Sequence, residues 1–258
     1  MNRFDIGGSL TGMLNNFRLT IEYDGAAYNG WQRQKTGRTI QGEIERCISV
    51  LTQQKVTLTG AGRTDAGVHA LGQIANFVCD TKLEPGIFIK GLNSLLSGDI
   101  IIKDCVHAHQ EFHSRYDAKS KIYNFRIINR NIPPAIGRQY SWFIRKKIDV
   151  DAMQKAASHL IGTHDFKAFE GTGSPRKSTI RSVLRAGVLS KKEDLVVFEI
   201  EADGFLRFMV RNIVGTLVCV GLGKIKPYDF NGILKSRDRG NAGITAPPQG
   251  LFLVEVKY

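Results

Sequence analysis

Between Phe17 and Tyr23 apolar and polar residues alternate, which is the period of a half-buried strand. The period then lengthens. Ile40, Ile44, Cys47, Ile48 and Leu51 recur at helical spacing, and Thr39 stands where it would cap the helix. Lys55–Gly60 and Gln73–Cys79 read as strands around a glycine-rich turn, residues 86–96 as a short helix, and Asp99–Val106 as a further strand. This β-α-β-β-α-β order is the ferredoxin-like pattern.

The order repeats. Lys119–Ile128 predicts a strand, and Val150, Met153, Ala157, Leu160 and Ile161 mark a helix. Ser178–Leu189 and Leu195–Ala202 predict strands joined by a turn at Lys191–Asp194. Phe205–Leu222 and Tyr228–Lys235 predict helices, and Leu251–Tyr258 a closing strand. The expected fold is α+β: two tandem ferredoxin-like halves, residues 17–110 and 111–258, on a central, mainly antiparallel sheet. A junction of halves offers a cleft for an active site. Residues 1–16, with Gly7-Gly8 and Asn15-Asn16, read as a flexible leader.

Composition adds a partner. The net charge is +12, and residues 131–258 carry +8 of it against +4 for residues 1–130. A polyanion is the natural counterpart, with the later half supplying more of its surface. Arg145-Lys146-Lys147, Arg176-Lys177 and Lys191-Lys192 are candidate phosphate contacts, though each run alone is also what a solvated loop carries. The cysteines Cys47, Cys79, Cys105 and Cys219 form no C-x-x-C pair and sit among apolar residues, so they read as buried free thiols of a reducing compartment. No signal pattern opens the chain, and the apolar stretch Ile213–Leu222 is too short to span a bilayer. A cytoplasmic protein without a membrane partner is expected.

The most unusual segment is Gly60-Ala61-Gly62-Arg63-Thr64-Asp65-Ala66-Gly67-Val68-His69-Ala70. Asp residues in such loops are mostly turn formers. Here the loop joins two apolar strands, so its acid stands at the edge of a rigid core, where functional residues gather. It lacks the ending of a phosphate-binding P-loop and fits no dinucleotide fingerprint. Arg211 lies in a helical run apolar nearly all round. Either it snorkels to a helix end, or it pairs with an acid from the other half, for which Asp65 is the natural choice. That pairing would hold the carboxylate ionised and oriented for attack. Tyr123 shares a strand face with Phe125 and Ile127, as a core residue does. At a cleft edge it would instead stack on a nucleobase. His107, His109 and His113 match no zinc spacing, and His69 and His164 carry no specific signal.

The run at 60–70 resembles the signature of the TruA family of tRNA pseudouridine synthases. In the same order follow matches to Tyr23-Asp24-Gly25, Gly30-Trp31-Gln32, Lys121-Ile122-Tyr123, His164-Asp165-Phe166, Gly204-Phe205-Leu206, Met209-Val210-Arg211-Asn212 and Ala246-Pro247-Pro248-Gln249-Gly250-Leu251. The resemblance spans residues 17–258. It implies isomerisation of uridine to pseudouridine at positions 38–40 of the tRNA anticodon stem-loop, without metal or cofactor, by a homodimer. It makes Asp65 the catalytic acid, Arg63 the residue that fills the place of the displaced base, Tyr123 the ring on the target base and Arg211 the partner of Asp65. It also puts Leu251 beside Tyr123 and Arg63 in substrate binding. Arg207 and Phe208 depart from the family, which commonly has an aromatic and an amide there. Two other readings compete: a non-catalytic RNA-binding module, which gives no reason for a buried Arg or a glycine-framed acid, and a metal-dependent nuclease, which needs a carboxylate cluster where the loop has one acid.

Overall fold

The computed structural model describes residues 14–173, 178–192 and 194–258. Residues 1–13 of the expected leader, the pair Arg176-Lys177 and Glu193 of the expected turn lie outside them. In chain order the elements are β1 (Leu14–Tyr23), α1 (Ile40–Thr52), β2 (Thr59–Gly60), β3 (His69–Asp80), α2 (Pro85–Leu95), β4 (Ile100–Ala108), β5 (Ser120–Asn129), β6 (Trp142–Ile144), α3 (Val150–Ala157), β7 (Gly162–Asp165), β8 (Ile180–Lys192), β9 (Leu195–Ala202), α4 (Met209–Gly221), α5 (Asp229–Ser236) and β10 (Leu251–Lys257).

The strands join in one sheet, β4-β1-β3-β10-β5-β9-β8-β7, with β2 on β3 and β6 on β5. Pairing is antiparallel except for β5–β6 and the β3–β10 seam, where Phe252 faces His69 and Leu253 faces Ala70. On either side of that seam the strands follow the same sequence of neighbours, β4-β1-β3-β2 and β10-β5-β9-β8.

Register aligns the apolar positions on one face. Phe17 pairs with Phe77, Leu19 with Ala75, and across the seam Leu253 with Tyr123 and Tyr123 with Ile200. All are buried. Helices cover this face: Phe88 of α2 packs against Phe17 and Phe77, and α3 lies on β8 beside α4. Alternation therefore puts half of each strand into the core, where burial contributes about 1.5–3 kcal/mol for each large side chain.

Several boundaries differ from expectation. Leu14–Asn16 belong to β1 rather than a leader, because Asn16 is buried with its amide donating to His109 O and Phe112 O. The strand expected over Lys55–Gly60 shrinks to two residues. Leu58 gives its N–H to the Glu45 carboxylate and its carbonyl to Gln41, so α1 side chains satisfy a backbone that reads as strand. The helix expected from Phe205 starts at Met209, since Phe208 turns into the left-handed region at φ 59°. α3 ends at Ala157, and Ile161, expected on its apolar stripe, is half exposed. The short β6 and β7 were not expected. All four cysteines are free, but Cys219 is only half-buried.

No helix among the described residues is long and apolar enough to cross a membrane.

Candidate active site

The loop from Ala61 to Val68 leaves β2 and enters β3 beneath a second loop, from Asp24 to Thr39. Backbone bonds lock the two together: Trp31 N–H donates to Thr64 O at 3.1 Å, and Val68 N–H closes a turn on Asp65 O at 3.1 Å. Gly30 makes the approach possible. Its φ is +90°, and a Cβ there would lie 2.6 Å from Thr64 O and 3.0 Å from the Asp65 carbonyl carbon. Below the loop Tyr23 and Thr64 share a buried hydroxyl–hydroxyl bond of 2.8 Å, and Gln73 donates to Gly62 O at 2.9 Å. Asp65 is thus carried on a braced backbone.

Its partner comes from the far side of the seam. Arg211, in the first turn of α4, donates from Nη1 to Asp65 Oδ2 at 3.0 Å. The guanidinium is fixed elsewhere too: Nε donates to Ala246 O at 2.8 Å, and the group lies over the Phe208 ring at 4.9 Å. The pairing argued from burial of the helix is present. Its electrostatic effect is not the simple one expected. Burial pushes the Asp65 carboxyl up, Arg211 and then Arg207 pull it down, and the net direction is above the ordinary 3.8. Desolvation outweighs the ion pair, so the carboxylate is a stronger base than a surface Asp.

Tyr123, buried on β5, stands edge-on to Phe205 at 4.9 Å between ring centres. Burial, then the nearby Tyr23 and Asp65, hold its phenol protonated far above the usual range. Leu251 opens β10 and is buried, two residues from Leu253, which pairs with Tyr123. Arg63 projects into solvent and bonds to none of the described residues. The fold therefore brings Asp65, Arg211, Tyr123 and Leu251 to the seam and leaves Arg63 exposed two residues before Asp65. Arg207 also belongs to this neighbourhood. It lies outside α4, over the Phe208 ring at 4.7 Å, and donates to Thr172 O at 2.8 Å.

His69 is a residue that sequence reasoning passed over. It is buried, stacks on Phe252 at 4.7 Å, and its Nδ1 faces Gly25 N–H at 3.1 Å and Asp24 Oδ1 at 3.0 Å. Bare, that nitrogen accepts from Gly25; protonated, it donates to Asp24. Burial wins over Asp24 and lowers its affinity for the second proton. Tyr140 donates to the other Asp24 oxygen at 2.8 Å, so the cluster ties the segment before β6 to the entry of β3. Asp24 and His69 are far apart in sequence, and no local spacing reveals them. Of the other histidines, His109 and His113 accept backbone N–H groups close by in sequence, and His107 lies 3.7 Å from Glu84. The described residues contain no group of three or more His, Cys, Asp or Glu able to hold a metal ion.

A partly buried acid on a braced loop, an arginine pinned against it from another element, and the buried ring of Tyr123 thus come together. The model of the tRNA pseudouridine synthase family matches residues 19–117 and 156–258. Curated relatives over 95% of this chain and 100% of their own length are the tRNA pseudouridine synthases A of Acetivibrio thermocellus, 47% identical, and of a Thermoanaerobacter species, 48% identical. A tRNA pseudouridine synthase A 2 of Clostridium perfringens is 41% identical over the same shares. The chain belongs to the tRNA pseudouridine synthase family.

Proposed function

We propose that this protein isomerises uridine to pseudouridine in the anticodon arm of tRNA, at positions 38–40, with Asp65 as the catalytic residue. The reaction breaks the N1–C1′ bond, turns the base and joins C5 to C1′. The C5 proton is lost and N1 gains one, so nothing enters or leaves overall. A uridine in a stem must first leave the stack, at a cost of a few kcal/mol. Arg63, exposed two residues before Asp65, fills the vacancy, while Tyr123 and Leu251 receive the flipped base. Asp65 then acts as nucleophile on the base or the sugar, or as base toward the ribose. Arg211 orients the carboxylate and moderates the cost of its burial. No metal or organic cofactor is required by this scheme. The protein works as a homodimer with tRNA lying across both chains, and its basic surface supplies the phosphate contacts.

The observation that carries the reading is the 3.0 Å pair between Asp65 and Arg211, formed across the seam in front of Tyr123. Unmodified tRNA with uridines in the anticodon arm, incubated with chelator and mapped by carbodiimide labelling and primer extension, tests it. Wild type modifies positions 38–40. Asp65→Asn makes no pseudouridine while binding tRNA within a few-fold of wild type. Turnover by a verified pure Asp65→Asn protein removes Asp65 from the chemistry.

A further inference from the structure

Lys121 lies on β5 two residues before Tyr123, on the same face of the sheet, yet the site described above gives it no task. It is 8% exposed. Its stem runs directly under the catalytic loop: a Cβ built on Gly62 would lie 3.5 Å from Lys121 Cε and 3.7 Å from Cδ. Gly62 stands three residues before Asp65, so the ammonium emerges beside the mouth of the site.

No described residue accepts a hydrogen bond from this ammonium or forms an ion pair with it. The groups that face it at longer range are Arg115, which opposes its charge, and Asp203, which favours it. Burial is the largest influence and also disfavours the charge. Other cations on this sheet are treated differently. Glu201 collects Lys257 and Arg185, at 2.8 Å each, together with the Ser120 hydroxyl, and is pulled down to about 2. Here the stem is buried while the ammonium, which reaches solvent, meets no acid within ion-pair distance among the described residues. A lysine kept there is suited to an anion that arrives with a ligand.

The ligand of this cleft, on the isomerase reading on which this inference rests, carries one anion per nucleotide. We propose that Lys121 binds a phosphodiester of the RNA strand adjoining the flipped uridine, with Arg115 at the rim, so that the backbone is clamped on the Gly62 side of the loop while the base enters against Tyr123. Lys121 is then a binding residue that fixes the register of the target nucleotide, distinct from the exposed basic surface that holds the tRNA body.

The test uses an anticodon stem-loop RNA in which single phosphates are replaced, one at a time, by neutral methylphosphonates. Dissociation constants and single-turnover rates are measured for wild type, Lys121→Met and Lys121→Arg. For wild type, one linkage adjoining the target uridine weakens binding by about tenfold when neutral, the scale of one charge-assisted hydrogen bond. Lys121→Met shows that same loss on the all-phosphate RNA and no further loss when the linkage is neutral. Lys121→Arg keeps most of the affinity. Melting of Lys121→Met within a few degrees of the wild-type temperature verifies its fold, since the methionine side chain fills the space of the buried stem. Losses that add at every adjoining linkage, or a Lys121→Met protein that binds and turns over like wild type, overturn the proposal. If Lys121→Met does not fold, the wild-type scan decides alone: indifference to every adjoining linkage rejects the phosphate contact. Absence of pseudouridine with wild type would reject the isomerase reading instead, and the binding arms would still report on Lys121.

Discussion

Arg211 is held at three points, by Asp65, by Ala246 O and by the Phe208 ring, and so has little freedom to leave the carboxylate. Two opposing influences set the proton affinity of Asp65, and removing one has a defined sign. Arg211→Gln deletes a downward pull while burial remains, so the carboxyl rises further above 3.8. A reaction that needs the ionised form loses rate as pH falls through the range where this carboxyl takes up its proton, so the acid limb of the kcat/KM profile moves to higher pH in Arg211→Gln. The rate at neutral pH falls by at least tenfold. An unshifted acid limb in an otherwise slow variant would show that Arg211 acts on something other than the carboxylate. The cost in stability is about 1 kcal/mol, well short of a fully buried pair, because the Asp65 side chain keeps 28% exposure. Much of this was legible in the sequence. A glycine-framed acid and a guanidinium in an apolar helix are each odd, and each oddity explains the other. Three residues were not legible in their roles. Tyr123 shows the same alternation whether it faces a core or a cleft. His69 depends on Asp24, which only folding brings near. Phe208 adopts a left-handed backbone that is costly for a bulky side chain and that no pattern announces.

Among the elements, α4 has the most demanding placement. The segment from Ala242 to Ala246 runs so close along it that a Cβ on Gly215 would lie 1.6 Å from Ile244 O, and Ala246 exchanges backbone and side-chain bonds with Arg211. Gly215→Ala must part the two, and with them the carbonyl that aims the guanidinium. It is expected to destabilise by more than about 2 kcal/mol and to lower kcat more than it weakens RNA binding. Gly232, in the middle of α5, has nothing within 4 Å of the same built atom. Gly232→Ala is expected to stabilise by about 0.5–1 kcal/mol through helix propensity alone. Denaturant midpoints of the two variants check both directions. If both glycines respond alike, the close approach on α4 is not what Gly215 serves. At this scale periodicity located long elements well and their ends poorly. Apolar residues such as Leu206 are buried in a bend as readily as in a helix, and backbone groups satisfied by Glu45 and Gln41 imitate a strand that β2 does not extend to.

Across the whole molecule, the order of elements was readable from repetition in the pattern, but their joining was not. Nothing local says that β10 sits beside β3, where two ladder pairs join them among the described residues. The basic excess of residues 131–258 likewise foretold a polyanion without saying where the cleft would open. The position of β10 has a consequence for biosynthesis. Residues 251–257 lie in the middle of the sheet, between β3 and β5, although they follow every other described strand in sequence. As the chain leaves the ribosome, β1 to β4 can pair early, and β5, β8 and β9 later, but these blocks stay unjoined until residue 257 is free. Until then each presents an open strand edge, which is a hazard for misassociation. A chain stopped after Gln249 is therefore expected to lose cooperative unfolding and all activity together. Arrest of a nascent chain, followed by limited proteolysis, would find the loop of Asp65 cleavable until that final strand emerges. The enzyme would then be unable to act on RNA before residues 251–257 have left the ribosome.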